Sequence, residues 1–461
     1  MKVKVKNLGV LKQAEFSLGN LTIICGGNNT GKTYATYALF GFLLLWEETF
    51  SVEISDEQIE ILLDKGTITI DLSEYVDNIN TIIGEACENY TKLLPRVFGS
   101  SEDYFKQTEF TIELDTKDNK LDQAHLQSIS TGSTELFFIS KNNDDTNLII
   151  NLLSEEKNIG LPKEVIKKII SDAIKDVVFS SFFPRPFIAS AERTGTGIFR
   201  KELNFARNRL LEEISQPDKD INPLELLSKN YDDYALPIKS NVEFTRKIES
   251  IAKQKSFIFN EYPELIEDFT DIIGGSYLVT PTDELYYVPK GKKTRLSMDE
   301  SFSAVRSLLD IGFYIKHQAQ KGDLLIIDEP ELNLHPENQR RVARLLARLV
   351  NLGIKIFITT HSDYIIKELN TLIMLNQDQP YLQEIAEKEG YIKEELLTTN
   401  QVKVYVAEST LTLLEGNKRR TNCNTITEAN ITPDLGIEVL SFDTAIDTMN
   451  RIQEEIIWGE E

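Results

Sequence analysis

Leu21-Thr-Ile-Ile-Cys25 runs directly into Gly26-Gly27-Asn28-Asn29-Thr30-Gly31-Lys32-Thr33, and the apolar residues from Ala38 to Trp46 follow. The first piece reads as a short β run and the last as a buried helix. The residues between them fit the pattern GxxxxGK[ST]. In that setting the pattern means phosphate. Glycines let backbone N–H groups converge on an anion at a helix N-terminus, where the helix dipole already favours negative charge. Lys32 is then placed to span the β- and γ-phosphates of a nucleoside triphosphate, and the Thr33 hydroxyl to ligate Mg²⁺. Gly26 through Thr33 are therefore the candidate nucleotide-binding residues.

Outward from the loop, Leu324-Leu-Ile-Ile-Asp328-Glu329-Pro330 is an apolar run that ends in two carboxylates. A buried strand ending in Asp at the carboxyl edge of a sheet sets Asp328 beside Thr33 at the Mg²⁺ site. Glu329, one residue on, is placed to polarise the attacking water. A core strand closing in a solvated acidic turn fits the same segment taken alone; a phosphate loop in the same chain favours the site. Ile358-Thr-Thr-His361-Ser362 ends the next predicted strand, which sets His361 near the γ-phosphate as a hydrogen-bonding sensor. Lys32, Glu329 and His361 are the candidate catalytic residues.

The segment DEPELNLHP (328–336), His361 and the order of motifs resemble the ABC-type ATPases. Within them the chain is similar to the branch that holds SMC and Rad50 heads and the OLD (overcoming lysogenization defect) ATPases. The resemblance covers 1–47 and 186–375, and 376–461 more weakly. It implies an α/β P-loop NTPase of ABC/SMC-head type, with a mainly parallel core sheet, an antiparallel β subdomain and a helical insertion. It further implies ATP and Mg²⁺ sandwiched between two heads of a dimer or higher homo-oligomer, the signature loop of one head touching the γ-phosphate held by the other. The matching place is Ser301-Phe-Ser303-Ala-Val-Arg306. Ser301 corresponds to the signature serine and Ser303 to a signature glycine, although the usual glycine is absent. From the residues alone, Ser301 reads as well as a helix N-cap.

Two looser matches follow. Asn28 corresponds to the asparagine of the family's GxNGxGKS loop, with Asn29 in place of the next glycine. Ser190-Ala-Glu192-Arg193-Thr194-Gly195 is similar to a PAER-type motif of OLD-like ATPases and follows a strand, where ABC proteins carry their Q-loop. The resemblance makes Glu192 or Arg193 a sensor of Mg²⁺ or phosphate; a charged strand-to-helix turn explains the same residues. The tail LGIEVLSFDTAIDTMNRIQEEI resembles that of stand-alone OLD-like ATPases, and the carboxylates after the His361 helix form no DxD on a strand end. The chain is thus expected to lack a Toprim nuclease domain. Such ATPases, among them the ATPase subunits of PARIS systems, act in bacterial antiphage defence. The resemblance implies a switch that senses a phage-derived trigger and controls a separately encoded effector such as a Toprim nuclease. A competing reading is an SMC/Rad50-like DNA-repair or DNA-binding ATPase, which predicts long heptad arms or a basic groove. A transporter ATPase predicts a plain LSGGQ. The sequence shows none of these features.

Bulk composition narrows the class. A chain of 461 residues exceeds one ordinary domain, and 41% hydrophobic with 27% charged residues is usual for a soluble globular protein. Lys plus Arg number 50 against 73 Asp plus Glu, a formal charge of -23. That balance opposes non-specific wrapping of nucleic acid and suits a basic protein partner. Nucleic-acid binding then rests on local patches, and the small basic stretch Gly416–Cys423 reads better as a solvated hairpin loop. Cys25, Cys87 and Cys423 show neither disulfide nor zinc spacing, which points to a reducing cytoplasm. The N-terminus lacks the apolar block of a signal peptide, and Ala38–Trp46 is too short to span a bilayer, so no membrane partner is expected.

Periodicity predicts helices at 56–65, 74–94, 162–178, 301–319, 337–351 and 443–457, with a helical block over 198–273. Strands are predicted at 2–6, 67–72, 109–114, 134–140, 147–153, 186–190, 276–280, 284–288, 354–360 and 402–408, with loops at 115–131 and 141–146. The division expected is 1–47 with 276–400 as the ATPase core, 48–197 as an inserted α+β subdomain, 198–275 as a helical lobe and 401–461 as a C-terminal α/β extension. The insertion and the lobe are the expected surfaces for trigger and effector.

Overall fold

The computed structural model describes residues 1–115, 121, 123–131, 134–153, 161–198, 234–438 and 440–458. The chain forms two compact units. The smaller comprises Met1–Lys4, Phe42–Leu93 and Glu109–Arg185, and the larger Val5–Gly41, Leu94–Thr108 and Pro186–Glu461.

The larger unit is built on a run of seven sheet strands. In spatial order they are Leu11–Ser17, Thr421–Glu428, Val402–Thr412, Leu21–Cys25, Lys355–Thr360, Leu324–Asp328 and Pro186–Ala189. The last five pair in parallel, and Thr421–Glu428 folds back antiparallel on Val402–Thr412. Leu21–Cys25 and Leu324–Asp328 are buried along their whole length, as strands covered on both faces must be. The connection from Leu324–Asp328 to Lys355–Thr360 runs through the helix Pro336–Asn351. Its Val342, Leu345, Leu346 and Leu349 recur at helical spacing and are all buried. Fold and order together are those of an α/β P-loop NTPase with a mainly parallel core sheet.

Expected boundaries move: Leu94–Thr108 falls in the larger unit and residues 42–47 in the smaller. Pro186–Ala189 pairs with Leu324–Asp328, so residues 186–197 belong to the ATPase core and not to the insertion. Val402–Thr412 pairs with Leu21–Cys25, so the segment after 401 is not a separate extension. Val402 and Val404 are buried there, and the pairing satisfies backbone groups that Leu21–Cys25 would otherwise leave bare. The basic residues Lys418, Arg419 and Arg420 lie exposed in the turn of the hairpin that follows.

The predicted helix 301–319 is broken into Ser303–Ser307, Leu309–Phe313 and a π turn, Tyr314–Gln318. At the first break the Ser307 carbonyl accepts from Arg193 Nε at 2.6 Å. Within the helical block, residues 199–233 fall outside the described residues. From Leu236 the chain forms the helices Leu236–Arg246, Ile248–Ile251, Phe257–Glu261 and Pro263–Ile273.

In the smaller unit, Thr67–Asp71, Asn147–Leu152, Thr134–Lys141 and His125–Thr131 form an antiparallel sheet in that order. His125–Thr131 falls where a loop was expected. It is an edge strand with little to bury, so its polar sequence carries no alternation. Phe42 packs against Tyr90, Phe110 and Phe183, and Phe50 against Phe179 and Phe183, a tight aromatic core. Among the described residues no helix is long and apolar enough to cross a membrane.

Candidate active site

Three neighbouring parallel strands bring the motifs together. Asp328 is in register with Thr359, and Thr360 with Cys25, so the loop after Cys25, the acids after Ile327 and His361 leave the same carboxyl edge. Pro186–Ala189 ends at that edge too, which delivers Glu192 and Arg193.

The loop depends on its glycines. Gly26 has φ +135°, and a Cβ there would lie 2.2 Å from the Ala407 carbonyl oxygen of the adjoining strand. Asn29 has φ 61°, a left-handed conformation that asparagine visits more readily than most side chains. Lys32 Nζ donates to the carbonyls of Gly26 at 2.9 Å and Gly27 at 2.7 Å. Burial pulls its ammonium pKa down, and Glu329, Asp328 and Glu331 oppose that shift.

Thr33 Oγ1 donates to Asp328 Oδ2 at 3.4 Å, and Thr359 Oγ1 donates to Asp328 Oδ1. Asp328 is 2% exposed. Burial pushes its carboxyl up to about 6; the Thr359 hydrogen bond opposes the rise, and the neighbouring charges of Glu329 and Glu192 add to it. Glu192 accepts from Tyr37 Oη at 3.0 Å. A divalent cation relieves such crowding of carboxylates. Among the described residues no three His, Cys, Asp or Glu side chains gather closely enough to hold a metal alone. Magnesium needs only one or two protein ligands when phosphates and water supply the rest.

Glu329 sits just beyond the strand with φ 54°, a conformation that costs an ordinary side chain about 1–3 kcal/mol. Its N–H donates to the Thr359 carbonyl at 3.0 Å. His361 Nδ1 lies 3.6 Å from Glu329 Oε1 and 3.4 Å from Glu331 Oε1. Glu331 was not singled out in the sequence, yet it is buried at the centre of this edge. Its Oε1 accepts from Thr360 Oγ1 at 2.8 Å and from the His361 N–H at 2.9 Å, while Oε2 is buried with no hydrogen-bond partner. Its position three residues after Asp328, in a segment read mainly for its first two acids, was the only signal available.

Two side chains singled out in the sequence are turned into the fold. Ser301 is 6% exposed, and its hydroxyl donates to the Met298 carbonyl at 2.7 Å, so it faces inward. Phe302 occupies the N-cap position instead, and Phe302 and Ser303 are exposed. Arg306 Nη1 donates to the carbonyls of Met298 and Ser301, bracing the turn. Of Glu192 and Arg193, either of which was expected to sense Mg²⁺ or phosphate, Arg193 is buried with its donors on main-chain carbonyls. Beside Thr33, a hollow of about 510 Å³ is lined by Gly9, Tyr34, Tyr37, Phe98, Tyr104 and Phe105.

A phosphate loop between strand and helix, facing two strand-end acids across one intervening strand, defines a P-loop NTPase. The chain belongs to the AAA ATPase domain family, which matches residues 1–366, and it is an ATPase in that general sense. Solved structures similar to it include an SMC head bound to the C-winged helix domain of ScpA (13% identity, 93% of this chain and 96% of that one, TM-score 0.34). An SMC head domain from Thermotoga maritima is also similar (10% identity, 93% and 98%, TM-score 0.29). So is an Smc head domain with an extended coiled coil bound to the C-terminal domain of ScpA derived from Pyrococcus furiosus (13%, 98% and 98%, TM-score 0.29). No curated protein matches the chain.

Proposed function

We propose that this ATPase is a switch whose hydrolysis of ATP changes how tightly copies of the chain associate. The observation that carries the reading is the placement of Thr33 and Asp328 within 3.4 Å of each other at the mouth of the phosphate loop, with Glu329 and His361 beside them. Lys32 and the loop amides bind the phosphates, and the aromatic hollow beside Thr33 stacks the base. Thr33 and Asp328 would hold Mg²⁺, and the Glu192 carboxylate acts electrostatically on Asp328. When bound, the ion neutralises charge on the phosphate oxygens. Glu329 orients the attacking water and takes up its proton, and His361 steadies the γ-phosphate by hydrogen bonding.

Exposed Ser303, rather than buried Ser301, is the side chain of the 301–306 loop able to meet a γ-phosphate held by a second copy. ATP then adds contacts across the interface, and loss of the γ-phosphate removes them. In the finer reading the assembly is the sensor of a cytoplasmic antiphage system, PARIS-like in architecture, that holds or releases a separate toxic effector. The resemblance of the 328–336 and 190–195 segments to OLD-like ATPases supports it, and the charge of -23 suits a basic effector.

Sedimentation of the Glu329→Gln chain with ATP and Mg²⁺ tests the switch. ATP is expected to drive it into dimers or larger assemblies, and Ser303→Arg to block the shift. If nucleotide leaves the sedimentation of Glu329→Gln unchanged, association is not the output. Co-purification from the native operon, with Glu329 intact and as Gln, would then identify the effector. A turnover rate that rises with added double-stranded DNA would favour the DNA-repair reading instead.

A further inference from the structure

Arg193 is 1% exposed, and its guanidinium reaches carbonyls in three separate segments. Nε donates to the Ser307 carbonyl at 2.6 Å, Nη1 to those of Ser190 at 2.8 Å and Asp328 at 2.6 Å, and Nη2 to that of Glu329 at 2.7 Å. Ser190 is itself held, its N–H donating to Asn241 Oδ1 at 3.0 Å. The buried Asp310 faces this cation electrostatically, and neither of its carboxylate oxygens has a hydrogen-bond partner. Burial pushes the Asp310 carboxyl up to about 7, and Arg193 opposes that rise. The charge therefore has a counter-charge, while the hydrogen bonds described for the fork all end on backbone.

The grip falls on an acid of the site that has a left-handed backbone. Glu329 has φ 54° and is held from both sides, its N–H on the Thr359 carbonyl and its carbonyl on Arg193. A glutamate released from such constraints relaxes toward the right-handed or extended regions, which swings its side chain away.

We propose that Arg193 is a positioning residue that locks the Glu329 backbone, and so aims the Glu329 carboxylate, while tying it to the end of the Ser303–Ser307 helix. The inference rests on the reading of Glu329 as the group that orients water. A lysine cannot replace the fork: its single ammonium on a flexible stem cannot hold four carbonyls in fixed directions.

The test uses the full chain with Arg193→Lys and, separately, the double variant Arg193→Gln with Asp310→Asn, which removes the buried carboxylate along with its partner. The readouts are kcat, KM and the affinity for a non-hydrolysable ATP analogue with Mg²⁺, beside melting curves. Positioning predicts that kcat falls about a hundredfold in both, as expected when a reacting group is misplaced by an ångström. It also predicts that analogue affinity stays within about threefold, because binding that does not depend on the reacting group is untouched. Wild-type kcat in either variant overturns the proposal. So does a loss of analogue affinity that accounts for the whole effect, which would make Arg193 a phosphate sensor. Failure of both variants to fold would make it a purely structural residue and overturn the proposal as well. Glu329→Gln measured alongside separates the two readings: fast turnover there removes Glu329 from its role, whereas slow turnover there with a fast Arg193→Lys removes only Arg193.

Discussion

Glu329→Gln is expected to slow ATP turnover by about a hundredfold to ten-thousandfold, the usual contribution of a positioned proton acceptor, while nucleotide affinity is retained. Glutamine keeps the volume and the hydrogen-bonding reach of the side chain. The backbone is also held by groups the exchange does not touch, the Arg193 guanidinium and the Thr359 carbonyl. What disappears is a negative charge in a site already crowded by Asp328 and Glu331, and with it the ability to accept a proton from water. Single-turnover hydrolysis checks the first half of the expectation and equilibrium binding of ATP the second. Wild-type turnover would mean that another group, Glu331 being the nearest candidate beside His361, orients the water.

Lys32→Ala is expected to weaken ATP binding by tens to thousands of times, the range seen when one partner of a desolvated charge pair is removed. The ammonium lies within the curl of the loop, 2.9 Å and 2.7 Å from two carbonyls, and three carboxylates act on it. Without it those carbonyls and acids face a triphosphate of the same sign. Titration calorimetry with ATP and Mg²⁺ reads the loss directly. Parent-like affinity would show that the phosphates bind elsewhere and would undo the placement of every other group.

The parts of the site legible in the sequence share a trait: their chemistry is contiguous. The loop at 26–33 and the strand-end acids at 328–329 each carry a local pattern that only a few folds can use, and the apolar β runs beside them set their direction. The core strands were readable for the same reason, being rich in apolar residues. What the sequence hid depends on partners far along the chain. Arg193 looks like a charged turn residue until Ser307, Asp328 and Glu329 arrive around it from other elements. Ser301 reads first as a signature serine and second as a cap, and only the turn at Met298 decides that its hydroxyl points inward. The Thr421–Glu428 strand, TNCNTITE, has too few apolar residues to announce itself, and its place in the sheet comes from pairing with Val402–Thr412 on one side and Leu11–Ser17 on the other.

The strand Val402–Thr412 bears on how the protein can be handled. The family match ends at residue 366, yet the phosphate-loop strand has one of its two flanks covered by residues 402–406. A truncated chain that stops where the match stops would leave that flank as a raw apolar edge, an open template for another molecule to zip onto. It would also remove the wall at Ala407 against which Gly26 rests. Such a fragment would clump before it could be assayed, and its silence would be mistaken for a dead enzyme.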